Sequence, residues 1–179
     1  MALKSDLQCK YDGVCLYITI SARPTIITKF ILSFFNVFLA IAIVFFLKEQ
    51  VIVAALAFTA LEVFVIKYTL WNLYGYERVT INTKSLSIQL HYGIFTTPPK
   101  ITVLNKRIFM CPADAIVQNE QKFVKIHIYS YNEFHLQSLI YQSVLFIPDT
   151  EYQRVVSQFH QLFLDEMVEE KGMPLIYLN

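Results

Sequence analysis

The chain has 179 residues, of which 55% are hydrophobic and 15% aromatic, with only 16% charged and a formal net charge of +1. Soluble proteins run at about 45–50% apolar and about 25% charged, so the excess calls for a bilayer or a partner surface. The near-neutral balance argues against recruitment of nucleic acid by a strong positive field, and the length suits one folding unit with an anchor.

The first segment, residues 1–29, holds one expected strand, Cys15 to Ala22, in which Leu16, Ile18 and Ile20 alternate. Two apolar runs follow, residues 30–47 and 51–71, separated only by Lys48, Glu49 and Gln50. Each is close to the ~20 residues that a helix needs to cross a bilayer. A cleaved signal peptide is disfavoured because an equally apolar run follows the first at once. Two core helices of a soluble protein are disfavoured because neither run has a polar face. The pair reads as a transmembrane helical hairpin with both termini on one side. Arg23 and Lys29 before it, and Lys67, Arg78 and Lys84 at its end, outnumber Lys48 in the connection. The termini are therefore expected in the cytoplasm. Trp71, Tyr74 and Tyr76 cluster where the second helix should leave the membrane, as an interfacial aromatic belt.

Glu62 lies near the middle of the second run, where an ionised carboxylate costs at least ~2.5 kcal/mol. Counting equal distances from a turn centred on Glu49 puts Asn36 level with it, and an Asn36–Glu62 hydrogen bond across the hairpin is expected. Glu62 is read first as a structural clamp, then as a contact to another membrane subunit or a proton-handling group.

Residues 72–171 read as a β-rich domain. Val79 and Ile81, the turn residues Asn82 to Ser85, then Leu86, Ile88 and Leu90 predict a β-hairpin. Further strands are expected at Ile101 to Leu104, Lys122 to Ser130 and Ser143 to Ile147, roughly six or seven in all, in an antiparallel bent sheet or partial barrel. Pro148 ends the last strand and Asp149 is the expected cap of an amphipathic helix over 149–170. Its apolar stripe is Tyr152, Val155, Val156, Phe159, Leu162, Phe163 and Met167. The tail, residues 172–179, is too short to fold alone.

Three cysteines, Cys9, Cys15 and Cys111, form no CxxC pair and fit reduced thiols better than a disulfide framework. A metal held by Cys9, Cys15 and His127 has no ligand spacing to support it. Asp165, Glu166, Glu169 and Glu170 read as a solvated helix end. No nucleophile–base pair, P-loop or HExxH motif is legible, and binding or assembly without a cofactor is expected over catalysis. Lys100, Lys106, Arg107, Lys122 and Lys125 form a candidate basic rim for anionic lipid or a partner.

An early strand, an apolar hairpin, the run LWNLYGYERVTINTKSLSIQL and a closing amphipathic helix together resemble the bacterial pleckstrin-homology-like membrane proteins. In that group an aromatic residue, a Gly and a Glu lead from the second membrane helix into the first long β-hairpin, and Trp71, Gly75 and Glu77 match those positions. The resemblance implies an α+β domain, a bent sheet plugged by its C-terminal helix, on the cytoplasmic face of a bacterial inner membrane. It implies a role in protein or lipid contact. The resulting expectation is a non-enzymatic accessory subunit of a larger membrane complex. Its alternatives are an anionic-lipid-binding module and a subunit assisting proton transfer through Glu62.

Overall fold

The computed structural model describes residues 5–104, 108–118, 120–131 and 136–171, the last seven by their backbone alone. Two strands come first, β1 (Ser5–Tyr11) and β2 (Leu16–Ala22), then two long helices, α1 (Ile26–Lys48) and α2 (Ile52–Tyr74). Seven strands follow: β3 (Tyr76–Ile81), β4 (Ser85–His91), β5 (Lys100–Val103), β6 (Ile108–Gln118), β7 (Gln121–Tyr131), β8 (Gln137–Gln142) and β9 (Ile147–Pro148). The helix α3 (Asp149–Lys171) closes the chain.

β1 to β5 form one antiparallel sheet in chain order. In the second sheet β7 pairs with β6, β8 and β9. The alternating side chains of each strand turn one face inward. Leu16, Ile18, Ile20, Val79, Ile81 and Leu86 from the first sheet meet Val124, Ile126, Ile128 and Ile147 from the second. Tyr152, Val155, Phe159 and Leu162 of α3 complete this core, so the expected one-sided helix does pack on the sheets.

The hairpin of α1 and α2 is inserted between β2 and β3, which are neighbours in the sheet. Both helices run longer than the apolar runs alone suggested, because Thr25 caps α1 by accepting from the Thr28 amide at 3.3 Å and α2 continues to Tyr74. Gln50 takes φ 59°. The Gln50 amide then donates to the Leu47 carbonyl at 3.2 Å and the Val51 amide to that of Phe46 at 2.9 Å, a Schellman stop that reverses the chain in three residues. Both helices are long and apolar enough to cross a membrane, with mean hydropathy 2.7 and 1.8, and only 6% of each most apolar window is buried. They are therefore not covered by their own protein, as core helices would be.

Several strands differ from the expected set. β1 was not anticipated, although Leu7, Cys9 and Tyr11 turn towards the core and the Asp12-Gly13 turn precedes β2. β6 was also missed; it carries Pro112, which an edge strand tolerates because one side needs no donor. Ser143 to Ile147, expected as a strand, is a turn from Ser143 to Phe146 followed by the two-residue β9. The Val144 and Leu145 amides in it are taken by Glu77 of the other sheet. β8 was not anticipated either. Asp149, expected as a cap, is the first residue of α3. The tail 172–179 lies outside the described residues.

Candidate functional site

The junction of the hairpin with the first sheet gathers most of the unusual chemistry. At the end of α2 the Gly75 amide donates to the Trp71 carbonyl at 2.8 Å, and the Gly75 carbonyl accepts from the Ala22 amide at 3.0 Å. A Cβ on Gly75 would lie 2.1 Å from the Trp71 oxygen, so no larger residue fits where the helix hands over to β3.

Two residues on, Glu77 points into the core and is fully buried. It accepts from the Tyr141 hydroxyl at 3.0 Å, from the Val144 amide at 3.1 and 3.2 Å and from the Leu145 amide at 3.2 Å. One carboxylate thus ties β3 to the far sheet and holds the Ser143–Phe146 turn out of strand pairing. Ser143 braces the same turn, accepting from the Ile126 amide and donating to the Leu145 carbonyl, both at 2.9 Å. Burial pushes the Glu77 carboxyl above its usual range, while the Leu145 and Val144 amides and the Tyr141 hydroxyl pull it back. Burial, with the Glu77 charge beside it, pushes Tyr141 well above its ordinary value. Both carboxylate oxygens have donors from the chain itself, which makes Glu77 a clasp.

An aromatic cluster lies at the same junction. Tyr76 stacks on His91 with ring centroids 4.2 Å apart, Trp71 lies 5.2 Å from Tyr92, and Tyr92 stacks on Phe95 at 4.6 Å. The Lys67 ammonium sits 5.7 Å from the Tyr92 ring and the Arg78 guanidinium 5.9 Å from that of Tyr76. Trp71 and Tyr76 are thus engaged in ring contacts, and Tyr74 is exposed. Burial, and then the Arg78 charge, lower the His91 pKa. Tyr92 and Phe95 escaped the sequence reading because their turn is remote from α2 in the chain.

The expected Asn36–Glu62 bond is replaced by another. Asn36 donates to the Thr69 hydroxyl at 2.8 Å and to the Leu32 carbonyl at 2.6 Å. The reason is geometric. Side chains lean towards the N-terminus of their own helix, so in an antiparallel pair those of α1 lean away from the connection and those of α2 lean towards it. A residue of α1 therefore meets one further along α2 than equal counting allows. The Phe46–Phe58 ring contact at 5.1 Å is offset in the same direction and by nearly as much. In that register Ala42 and Ile43 lie across from Glu62, whose Oε2 has no partner among the described residues.

The basic rim is divided. Lys100 lies on β5 of the first sheet, whereas Lys122 and Lys125 lie on β7 of the second. Lys122 faces Asp149 at 3.8 Å, and Lys125 pairs with Asp114 at 3.0 Å and lies 4.9 Å from the Phe146 ring. Lys106 and Arg107 are outside the described residues. Among the described residues no three His, Cys, Asp or Glu side chains come together as a metal site, and Cys9, Cys15 and Cys111 are free thiols.

Compared with known proteins, the chain matches no family model and shows no significant similarity to any curated protein.

Proposed function

We propose that the chain is a membrane-anchored, pleckstrin-homology-like accessory subunit of the bacterial inner membrane, with its termini and β-domain in the cytoplasm. Its hairpin keeps it beside a larger membrane complex, and its β-domain contacts that complex from the cytoplasmic side. The observation that carries this reading is the exposed apolar girdle of the hairpin, which includes Phe30, Phe34, Phe38, Ile41, Val53, Leu56 and Phe64. In water this surface would cost about 25 cal/mol per Å² of apolar area, and lipid removes that cost. The insertion of the hairpin between two paired strands supports a U-shaped anchor, since both strands must lie in one compartment to pair. The outer edge of β5 supports a protein contact, because it bears exposed Ile101 and Val103 and, among the described residues, pairs with no further strand, the requirement for strand addition.

The test is purification from membranes in mild detergent, with photocrosslinking from position 101. The expected result is a stoichiometric membrane subunit that both co-purifies and crosslinks. A chain that is released by alkaline carbonate overturns the anchor. A chain that stays in the membrane alone and uncrosslinked overturns the accessory role.

A further inference from the structure

We infer that the turn between β4 and β5, Tyr92 to Phe95, is a lipid-immersed element that seats the β-domain on the bilayer leaflet from which the hairpin departs. The inference rests on the hairpin spanning a membrane.

β3 starts immediately after the Gly75 cap of α2, and β4 returns antiparallel to it with Tyr76 paired to His91. The end of β4 therefore comes back to the helix. The turn then packs alongside α2: Tyr92 touches Trp71 and Lys67, four residues apart on one helix face. Gly93 presses so close to Tyr74 that an added Cβ would lie 2.8 Å from the Tyr74 Cβ, and its φ of 85° favours glycine independently. Lys67 to Tyr74 covers about 10 Å of helix rise, so the turn lies level with the last two turns of α2. If α2 spans the membrane, this turn cannot stand clear of it.

Composition and backbone fit that depth. From Tyr92 to Pro99 there is no charged residue. Ile94 is 82% exposed and Phe95 42% exposed at the tip, where water would otherwise hydrate two large apolar groups. The backbone closes on itself: the Tyr92 amide donates to the Phe95 carbonyl and the Thr97 amide to the Leu90 carbonyl, each at 2.8 Å, and the Leu90 amide donates to the Thr97 hydroxyl at 3.0 Å. These bonds satisfy the amides at the base of the turn, which leaves its tip suited to the headgroup level, where water is still at hand, and not to the hydrocarbon centre. Lys67 keeps a long stem by which its ammonium reaches the headgroups.

An independent contact lies at the same end. Ser5, which pairs with Ala22, donates its hydroxyl to the Phe146 carbonyl, and Glu77 holds the Val144 amide. The Ser143–Phe146 turn is thereby fixed at the helix end of the sheet, with Val144 52% exposed. Two turns from two sheets thus carry exposed apolar side chains, Ile94 and Val144. Seating of this kind depends on apolar immersion, so it needs no anionic lipid.

The full chain in nanodiscs of zwitterionic lipid tests this with Trp71→Tyr as background, which keeps a ring against Tyr92. One tryptophan is then added by Ile94→Trp, by Thr83→Trp in the turn at the far end of β3 and β4, or by Leu56→Trp on the hairpin. The expected result is blue-shifted emission at position 94 with strongest quenching by lipids brominated near the headgroup. Position 56, about 9 Å from the middle of the span on the side of the connection, is also quenched by brominated lipid, and position 83 is not. Quenching at 56 without quenching at 94 overturns the seating and leaves the hairpin reading intact. Loss of quenching at both positions overturns the hairpin reading itself. A blue shift at 94 that needs an added membrane subunit and resists bromolipid means that protein covers the turn, which also overturns the inference.

Discussion

Replacing Glu77 by Ala removes one acceptor and orphans three donors, the Tyr141 hydroxyl and the Val144 and Leu145 amides. A buried donor left unsatisfied costs about 1–3 kcal/mol. The two amides belong to a turn whose Val144 side chain is exposed, so water can reach them at the lower end of that range. The Tyr141 hydroxyl has no such route, since Tyr141 is only 5% exposed. Set against the relief of removing a buried carboxylate, the loss sums to about 3 kcal/mol, or roughly 10 °C in melting temperature for a domain of this size. Tyr141→Phe alone removes a single donor and should cost about 1 kcal/mol. In the Glu77→Ala background the same change should cost nothing further, because its partner has gone.

Thermal unfolding of the full chain in detergent measures the global effect, and amide hydrogen exchange of the peptide around residues 141–147 measures the local one. Protection at Val144 and Leu145 should fall in Glu77→Ala and stay in Tyr141→Phe. Unchanged melting with unchanged protection at both amides would refute the clasp. Acid supplies an independent arm. Because burial holds the folded carboxyl above the 4.5 of the free side chain, the folded protein takes up this proton before the unfolded chain does. Stability from this group is complete below pH 4.5 and is lost as pH rises through the folded value. The stability gap between wild type and Glu77→Gln, which cannot titrate here, should therefore widen on acidification from neutrality towards pH 4.5. A gap that narrows contradicts the assignment.

Asn36→Ala and Thr69→Val should each weaken the hairpin by about 0.6–1.7 kcal/mol, the double variant by no more than either alone, and Glu62→Gln should leave the Asn36–Thr69 contribution unchanged; additive losses in unfolding from micelles would show that the two residues do not bond. Gly93→Ala should cost at least about 1–2 kcal/mol from its positive φ alone, with a changed Trp71 emission because Trp71 rests on the same turn; an unaltered spectrum and melting temperature would contradict this. Burial, opposed by the Arg154 charge, pushes the Cys9 thiol up to about 11, so its alkylation by iodoacetamide at pH 8 should be far slower than that of free cysteine and should climb steeply with pH; a rate equal to free cysteine would disprove it.

Local periodicity made the hairpin, β2, the β3–β4 pair, β7 and α3 legible, because each has a face buried at its own repeat. The misses have distinct causes. β1 alternates through Cys9 and Tyr11, residues that read as ambivalent without the β2 partner against which they pack. β6 hides behind Pro112 and Asp114; the latter takes φ 49° at the bulge between Ala113 and Ile116, so the strand survives two residues that usually end one. Ser143 to Phe146 has strand composition, yet Glu77 competes for its amides from far away in the chain, which no local pattern encodes. Of the clasp, only Glu77 was visible, through the Trp71, Gly75, Glu77 pattern; Tyr141, Val144 and Leu145 are defined by contact alone. The Asn36 partner was missed because the turn is centred on Gln50 and not on Glu49, and because side chains tilt along a helix.

That long-range dependence has a consequence for assembly. β2 and β3 are neighbours in the sheet although roughly fifty residues separate them, and closing so long a flexible loop carries an entropic cost that grows with the logarithm of its length. The hairpin replaces that loop with two helices that lie side by side and are reversed by the Gln50 turn, delivering Ala22 and Gly75 to within one hydrogen bond. Pairing of β2 with β3 therefore becomes local once α1 and α2 have docked. Glu77 stands two residues past that junction and recruits the second sheet, so formation of the clasp follows from closure of the first sheet. Lengthening the connection at Gln50 with flexible residues should slow formation of the β2–β3 pair while leaving the native contacts of Glu77 in place. Pulsed hydrogen exchange during refolding into micelles reads both, and protection of Val79 arriving at an unchanged rate would show that the sheet closes without the hairpin's help.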